Sequence, residues 1–214
     1  MFKAQGPRWH KKDRKKGIVP KHLRNVDRDS QWGYSRYRGW VQGYAIHLLC
    51  SATPGFVPVP LDADATTANV PENRIFASMI DHLHDTTKYI VADSGYDDGK
   101  LIDMCEFRKN DKYITRRLIV PMEKHKHTPS HRLPSIRFFK SKRGQRLFQL
   151  RKITVEPMFD ILKSLFCLEP VWMRGKRNVQ PLLLLSVFAY QLLLLFNFVN
   201  GRPTSHVKYI LDGI

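Results

Sequence analysis

Two acids in this 214-residue chain, Asp93 and Glu156, stand where carboxylate chemistry is easily arranged. Asp93 ends the short, β-branched apolar run Tyr89-Ile90-Val91-Ala92 and precedes Ser94-Gly95. A side chain at the C-terminal end of such a strand reaches the crevice where open α/β sheets bind ligands. The same position equally suits a turn or cap residue. Glu156 lies within RLFQLRKITVEPMFDILKSLF, beside Val155 and Pro157. A carboxylate among apolar neighbours needs a partner, because burying it alone is costly, and a metal ion would serve. Lys152, Glu156 and Lys163 are spaced at four and seven, so a helix puts all three on one face. A plain Lys152–Glu156 ion pair fits that spacing too.

The charge around these acids is uneven. The chain has 36 Lys+Arg against 19 Asp+Glu, a net charge of +17. Residues 1–40 carry +9, residues 53–106 carry −7 and residues 107–152 carry +13. Such a surplus costs self-repulsion unless a polyanion neutralises it, and basic stretches around an acidic one suit a phosphate backbone held next to a divalent cation. With 43% hydrophobic residues and 11% aromatics, the chain is too apolar for a disordered basic tail. Cys50, Cys105 and Cys167 are widely separated and odd in number, so they read as reduced interior residues rather than as a disulfide framework or zinc knuckle. The first 16 residues have charge but no apolar core, and no secretory signal is expected. Residues 181–199 (PLLLLSVFAYQLLLLFNFV) approach a membrane span in length, but Gln191 and Asn197 interrupt them. A buried core helix and no membrane partner are expected.

The elements that must position the acids follow from periodicity. Residues 40–66 read as a hairpin turning at Pro54-Gly55, residues 71–84 as a helix, 89–93 as a buried parallel strand, 100–107 as a helix and 113–122 as a strand. Residues 123–145 read as a long Lys-, His- and Pro-rich loop, followed by helices over 146–168 and 179–200. Residues 1–39 show no period and read as a basic arm, and residues 201–214 as a tail. The architecture expected for residues 40–200 is α/β, a mixed sheet with flanking helices.

YIVADSGY at 89–96 contains D-x2-Y after an apolar strand, and residues 149–163 read Gln149-x2-Lys152-x3-Glu156-x6-Lys163. This resembles the Tyr-x2-Arg-x3-Glu-x6-Lys signature of bacterial insertion-sequence transposases with a D-D-E triad, departing from it at Gln149 (next to Phe148) and at Lys152 (next to Arg151). WVQGYAIHLL, TTANVPEN and AYQLLLLFNF also resemble that family. The resemblance implies a ribonuclease-H-like catalytic domain over 40–200 and phosphodiester cutting and joining with two Mg²⁺ (or Mn²⁺) ions. It implies Asp93 and Glu156 as the catalytic and metal-holding second and third acids, with Tyr96, Arg151, Lys152 and Lys163 binding DNA. The partners implied are double-stranded transposon-end and target DNA and further copies in a DNA complex, in a nucleoid-associated, cytoplasmic setting.

The family's first acid lies on a strand ahead of the Trp9–Arg14 stretch, and residues 1–8 contain no acid. The expectation is therefore a chain lacking that first strand and its Asp, with Asp27 or Asp29 as substitutes. Two other classes compete: a non-catalytic basic nucleic-acid-binding protein derived from a transposase, and a membrane-associated basic protein. His125, His127 and His131 suggest zinc less well than a solvated basic loop.

Overall fold

The computed structural model describes residues 1–19, 21–35, 38–53, 55–109, 112–122 and 128–211. In chain order the elements are β1 (Phe2–Lys3), α1 (Lys11–Lys15), β2 (Gln31–Ser35), β3 (Gly39–Cys50), β4 (Pro60–Thr67), α2 (Glu72–Met79), β5 (Tyr89–Val91), α3 (Gly99–Met104), β6 (Glu106–Lys109), β7 (Lys112–Thr115), β8 (Arg117–Ile119), α4 (Leu133–Lys140), α5 (Lys142–Leu165), α6 (Lys176–Val199) and α7 (Lys208–Leu211). The chain is mixed α/β and divides into two compact units. One comprises Met1–Leu49, Ala63–Val70 and Met158–Ile214, and the other Cys50–Asp62 and Pro71–Pro157.

In the first unit β3 is the hub of a four-stranded sheet. It pairs with β1, β2 and β4, and β1 and β2 run antiparallel to it. Two glycines permit this crowding. A Cβ on Gly43 would sit 1.9 Å from the Phe2 carbonyl oxygen, and one on Gly33 would sit 2.1 Å from that of Ala68. The expected hairpin of residues 40–66 is present as the β3–β4 pair. The basic arm expected over residues 1–39 is instead structured. Phe2 is fully buried at the sheet, and Trp9, Leu23 and Val26 form a small apolar cluster of their own. The few apolar residues there are scattered among charges without a period, which is why no element was legible.

α6 spans 24 residues and is long and apolar enough to cross a membrane, with mean hydropathy 2.2. The expectation of a buried core helix holds for one face only. Val179, Leu183, Val187, Tyr190 and Leu194 are buried, whereas Leu185, Phe188, Leu192 and Phe198 are exposed. Of the two polar interruptions, Gln191 is half-buried, while Asn197 is 1% exposed and its amide donates to the Thr204 carbonyl at 3.4 Å. Val207, in the expected tail, is also buried.

In the second unit β5 and β8 form a parallel pair, Ile90 opposite Leu118, as expected of a buried strand before a turn. The single strand expected over 113–122 is two strands. β7 pairs antiparallel with β6, which replaces the end of the expected 100–107 helix, and β8 pairs with β5. The break falls at Arg116, which is 2% exposed and donates to the carbonyls of Ile80 at 3.1 Å and Leu83 at 3.0 Å. Among the described residues the strands form one four-stranded and two two-stranded sheets, with both antiparallel and parallel pairing. Of the loop expected over 123–145, residues 123–127 lie outside the described residues, and α4 and the start of α5 occupy its later part. α5 then runs unbroken through Pro157, as one helix starting four residues earlier than expected.

Candidate functional site

β5 and its turn set the position of Asp93. The Ala92 amide still bonds to the Ile119 carbonyl at 3.1 Å, so the strand pairing reaches the residue before the acid. Asp93 then caps the 3₁₀ turn Ser94–Tyr96, its Oδ1 accepting from the Gly95 amide at 2.9 Å. The cap reading therefore holds. Oδ1 serves the turn, while Oδ2 faces Arg151, 3.9 Å from Nη1.

Arg151 belongs to α5 and draws the second acid to the same place. Its Nη2 lies 3.4 Å from Glu156 Oε1, and its guanidinium stands 5.5 Å over the Phe148 ring. Asp93 and Glu156, 63 positions apart in sequence, thus share one cation. Glu156 is not buried as expected: its side chain is 54% exposed, so the guanidinium and water together satisfy it. The ion pairs of the described residues include none between Lys152 and Glu156.

Glu72, in the first turn of α2, was not legible as a site residue, although it stands in the TTANVPEN stretch. A Cβ placed on Gly95 would meet Asp93 Oδ1 at 3.1 Å and Glu72 Oε2 at 3.2 Å, so both carboxylates border the same small space. Desolvation of its carboxyl, and then the charge on Asp93, raise the Glu72 pKa. The Tyr96 ring packs edge-on against Phe76 at 5.5 Å between centroids. Desolvation, then Glu72 and Asp93, push its phenol well above the ordinary tyrosine value, so it remains a hydrogen-bond donor at neutral pH.

Lys152 is exposed on α5, as are Arg137, Lys140, Lys142, Arg143 and Arg146 along α4 and α5. Arg143 stands 5.4 Å over the Tyr89 ring, and Arg117 4.5 Å over that of Phe138. Lys163 belongs to the other unit, where its Nζ lies 5.8 Å from the Phe2 ring centroid.

The proposed substitutes for a first acid are committed elsewhere. Asp27 is 2% exposed in the first unit. Its Oδ1 accepts from the amides of Asp29 at 3.0 Å and Ser30 at 3.2 Å, and its Oδ2 from the Tyr44 hydroxyl at 2.9 Å and the Gly175 amide at 3.2 Å. Asp29 Oδ2 accepts from the Lys176 amide at 2.8 Å. Together they satisfy the N-terminus of α6, where unpaired amides favour negative charge. The cysteine expectation holds for Cys105, which is buried, but Cys167 is exposed; no disulfide joins the three. His131 is exposed, and His125 and His127 lie outside the described residues.

Among the described residues no group of three or more His, Cys, Asp or Glu is gathered closely enough to hold a metal ion. Asp93 and Glu156 offer carboxylate oxygens, both are accessible to solvent, and both already turn toward a single positive group, the Arg151 guanidinium.

The arrangement is that of a protein that brings two acids and a basic helix to the end of a parallel strand. Residues 3–192 match the transposase DDE domain family, and the chain belongs to that family. It is thereby in the class of enzymes that cut and join DNA, a family that uses divalent metal ions. No match was found among curated proteins, nor among solved structures.

Proposed function

We propose that this chain is an insertion-sequence transposase of the D-D-E type, whose unit containing Asp93 and Glu156 binds transposon-end DNA and acts on its phosphodiester bonds. The observation that carries this reading is the convergence of Asp93 and Glu156 on Arg151. Asp93 and Glu156 are the residues that would hold Mg²⁺ or Mn²⁺. When bound, such ions supply Lewis-acid activation of the attacking water or 3′-hydroxyl and stabilise the leaving oxygen. Arg151 and Lys152 pair with backbone phosphates, and the protonated Tyr96 hydroxyl donates to the same backbone. The order of strands and helices around Asp93 favours a ribonuclease-H-like arrangement. Further copies assembled on paired DNA ends, in the nucleoid, complete the reading, and Lys163 is assigned a phosphate contact.

The test is a nicking and strand-transfer assay on terminal-repeat DNA, run with a binding assay across a salt series. Wild-type chain is expected to nick DNA only with Mg²⁺ or Mn²⁺. Asp93→Ala and Glu156→Gln should abolish nicking and leave salt-dependent binding intact. Binding without metal-dependent nicking by the wild type would overturn the enzymatic reading in favour of a non-catalytic nucleic-acid-binding protein.

A further inference from the structure

We infer that the outward face of α6 is the surface through which two copies of this chain pair, helix against helix and antiparallel. It names a contact that the proposed activity leaves open, and its test uses neither DNA nor metal, so either can fail without the other. α6 is apolar on two opposite sides. Leu183, Val187, Tyr190 and Leu194, spaced at four, three and four, are buried. Leu185, Phe188, Leu192, Leu195 and Val199, spaced at three, four, three and four, are 49% to 73% exposed. At 100° per residue the two sets lie roughly 180° apart. An apolar repeat of three and four is the spacing by which one helix seats its side chains between those of another. One such stripe serves the protein's own core, and the second faces outward.

Residues 178–201 contain no charged side chain, so the outward stripe suits an uncharged apolar partner. On the other described helices exposed large apolar residues are single, Met104 on α3 and Ile153 on α5, whereas α6 of a second copy supplies a matching stripe. The eight exposed large apolar residues of α6 offer about 700–900 Å² per copy, at roughly 150–200 Å² each when fully exposed. Each partner in a stable interface contributes about 800 Å². A bilayer is a poorer match, because the opposite side of α6 is closed off by protein and the Lys and Arg that hold an interfacial helix at a membrane are absent from residues 178–201. Antiparallel pairing opposes the two helix dipoles and keeps the Lys176-Arg177 ends apart. It also sets Leu192, the middle of the stripe, opposite its own copy across a two-fold axis.

Sedimentation equilibrium of the full chain over a concentration series tests this. The wild type should reach twice the 25.0 kDa chain mass. Leu192→Glu and Leu192→Lys, each facing its own like charge, should weaken association at least tenfold, and an equimolar mixture of the two should recover it as a mixed dimer. Tryptophan fluorescence checks that each variant is folded, and Leu185→Glu replaces Leu192→Glu if the latter is not. The exposed Asp103→Asn should associate as the wild type does. A wild type that stays monomeric, or a folded Leu192→Glu that associates unchanged, overturns the inference. So does a monomeric wild type that floats with phosphatidylcholine–phosphatidylglycerol vesicles and loses them on Leu192→Glu, which would assign the stripe to a membrane instead.

Discussion

Removing the Asp27 carboxylate should unfold the first unit at much lower denaturant concentration. Four donors converge on a side chain that is 2% exposed, three backbone amides and the Tyr44 hydroxyl. In Asp27→Asn the amide oxygen can keep the Asp29 and Ser30 amides. The new NH₂ then faces Tyr44, whose hydroxyl can rotate to accept, and the Gly175 amide, which cannot. One buried N–H without an acceptor costs about 1–3 kcal/mol, and the lost charge assistance adds roughly 1 kcal/mol more. Asp27→Asn should therefore cost about 2–4 kcal/mol. Asp27→Ala, which strands all four donors, should cost about 4–6 kcal/mol at roughly 1–1.5 kcal/mol for each bond.

All four tryptophans, Trp9, Trp32, Trp40 and Trp172, lie in the same unit as Asp27, so their fluorescence reports that unit specifically. With a urea m-value of about 3 kcal/mol/M, the Asn variant should lower the midpoint by roughly 1 M at unchanged slope. Asp103→Asn, an exposed control, should change stability by less than about 0.5 kcal/mol. A loss below about 1 kcal/mol in both Asp27 variants would refute the assignment of Asp27 as a structural acid and return it to the candidates for catalysis.

Three further outcomes are expected. His47 is buried, its Nε2 lies 2.8 Å from the Thr66 hydroxyl, and desolvation lowers its pKa against a smaller opposing effect of Asp64. The unfolded chain therefore takes up a proton before the folded one does. Stability followed by tryptophan fluorescence should fall as pH drops below about 6.5, and His47→Gln should flatten that slope. Arg116→Met should strip two buried carbonyls of their donor and cost about 3 kcal/mol, seen in faster amide exchange in β5 and β8. Because the tryptophans lie in the other unit, a shift confined to their signal would contradict the placement of Arg116. Gly43→Ala forces a Cβ to within 1.9 Å of the Phe2 carbonyl and should cost about 2 kcal/mol or more, with loss of amide protection at β1. Unchanged protection there would argue against the β1–β3 register.

Where periodicity was strong, the elements were legible. Ile75, Met79, Ile80 and Leu83 recur at helical spacing and form the helix and 3₁₀ turn that follow Pro71, while Tyr89–Val91 is short, β-branched and followed by Ser94-Gly95, and forms the parallel strand. Where single residues act through distant partners, local pattern was silent. Trp9 is buried among charged neighbours because Leu23 and Val26 cover it, and the strand expected over 113–122 breaks because Arg116 reaches carbonyls about 33 to 36 positions away.

The candidate site divides in the same way. Residue type and spacing alone singled out Asp93 and Glu156, since an acid after an apolar strand and an acid within a helix are local features. Neither the cation they share nor the acid beside them is local. Arg151 meets Asp93 across 58 positions and Glu72 borders Gly95 across 23, so only tertiary packing could bring them together. The buried Asp27 shows the converse. By composition it was one more acid in a basic stretch, and its role became decidable only when the chain returned, 148 residues later, to present the Gly175 amide to it. Sequence determines which groups can titrate, coordinate or cap; tertiary structure determines which of them are desolvated and which charge each one faces, because both depend on contacts that no local spacing encodes.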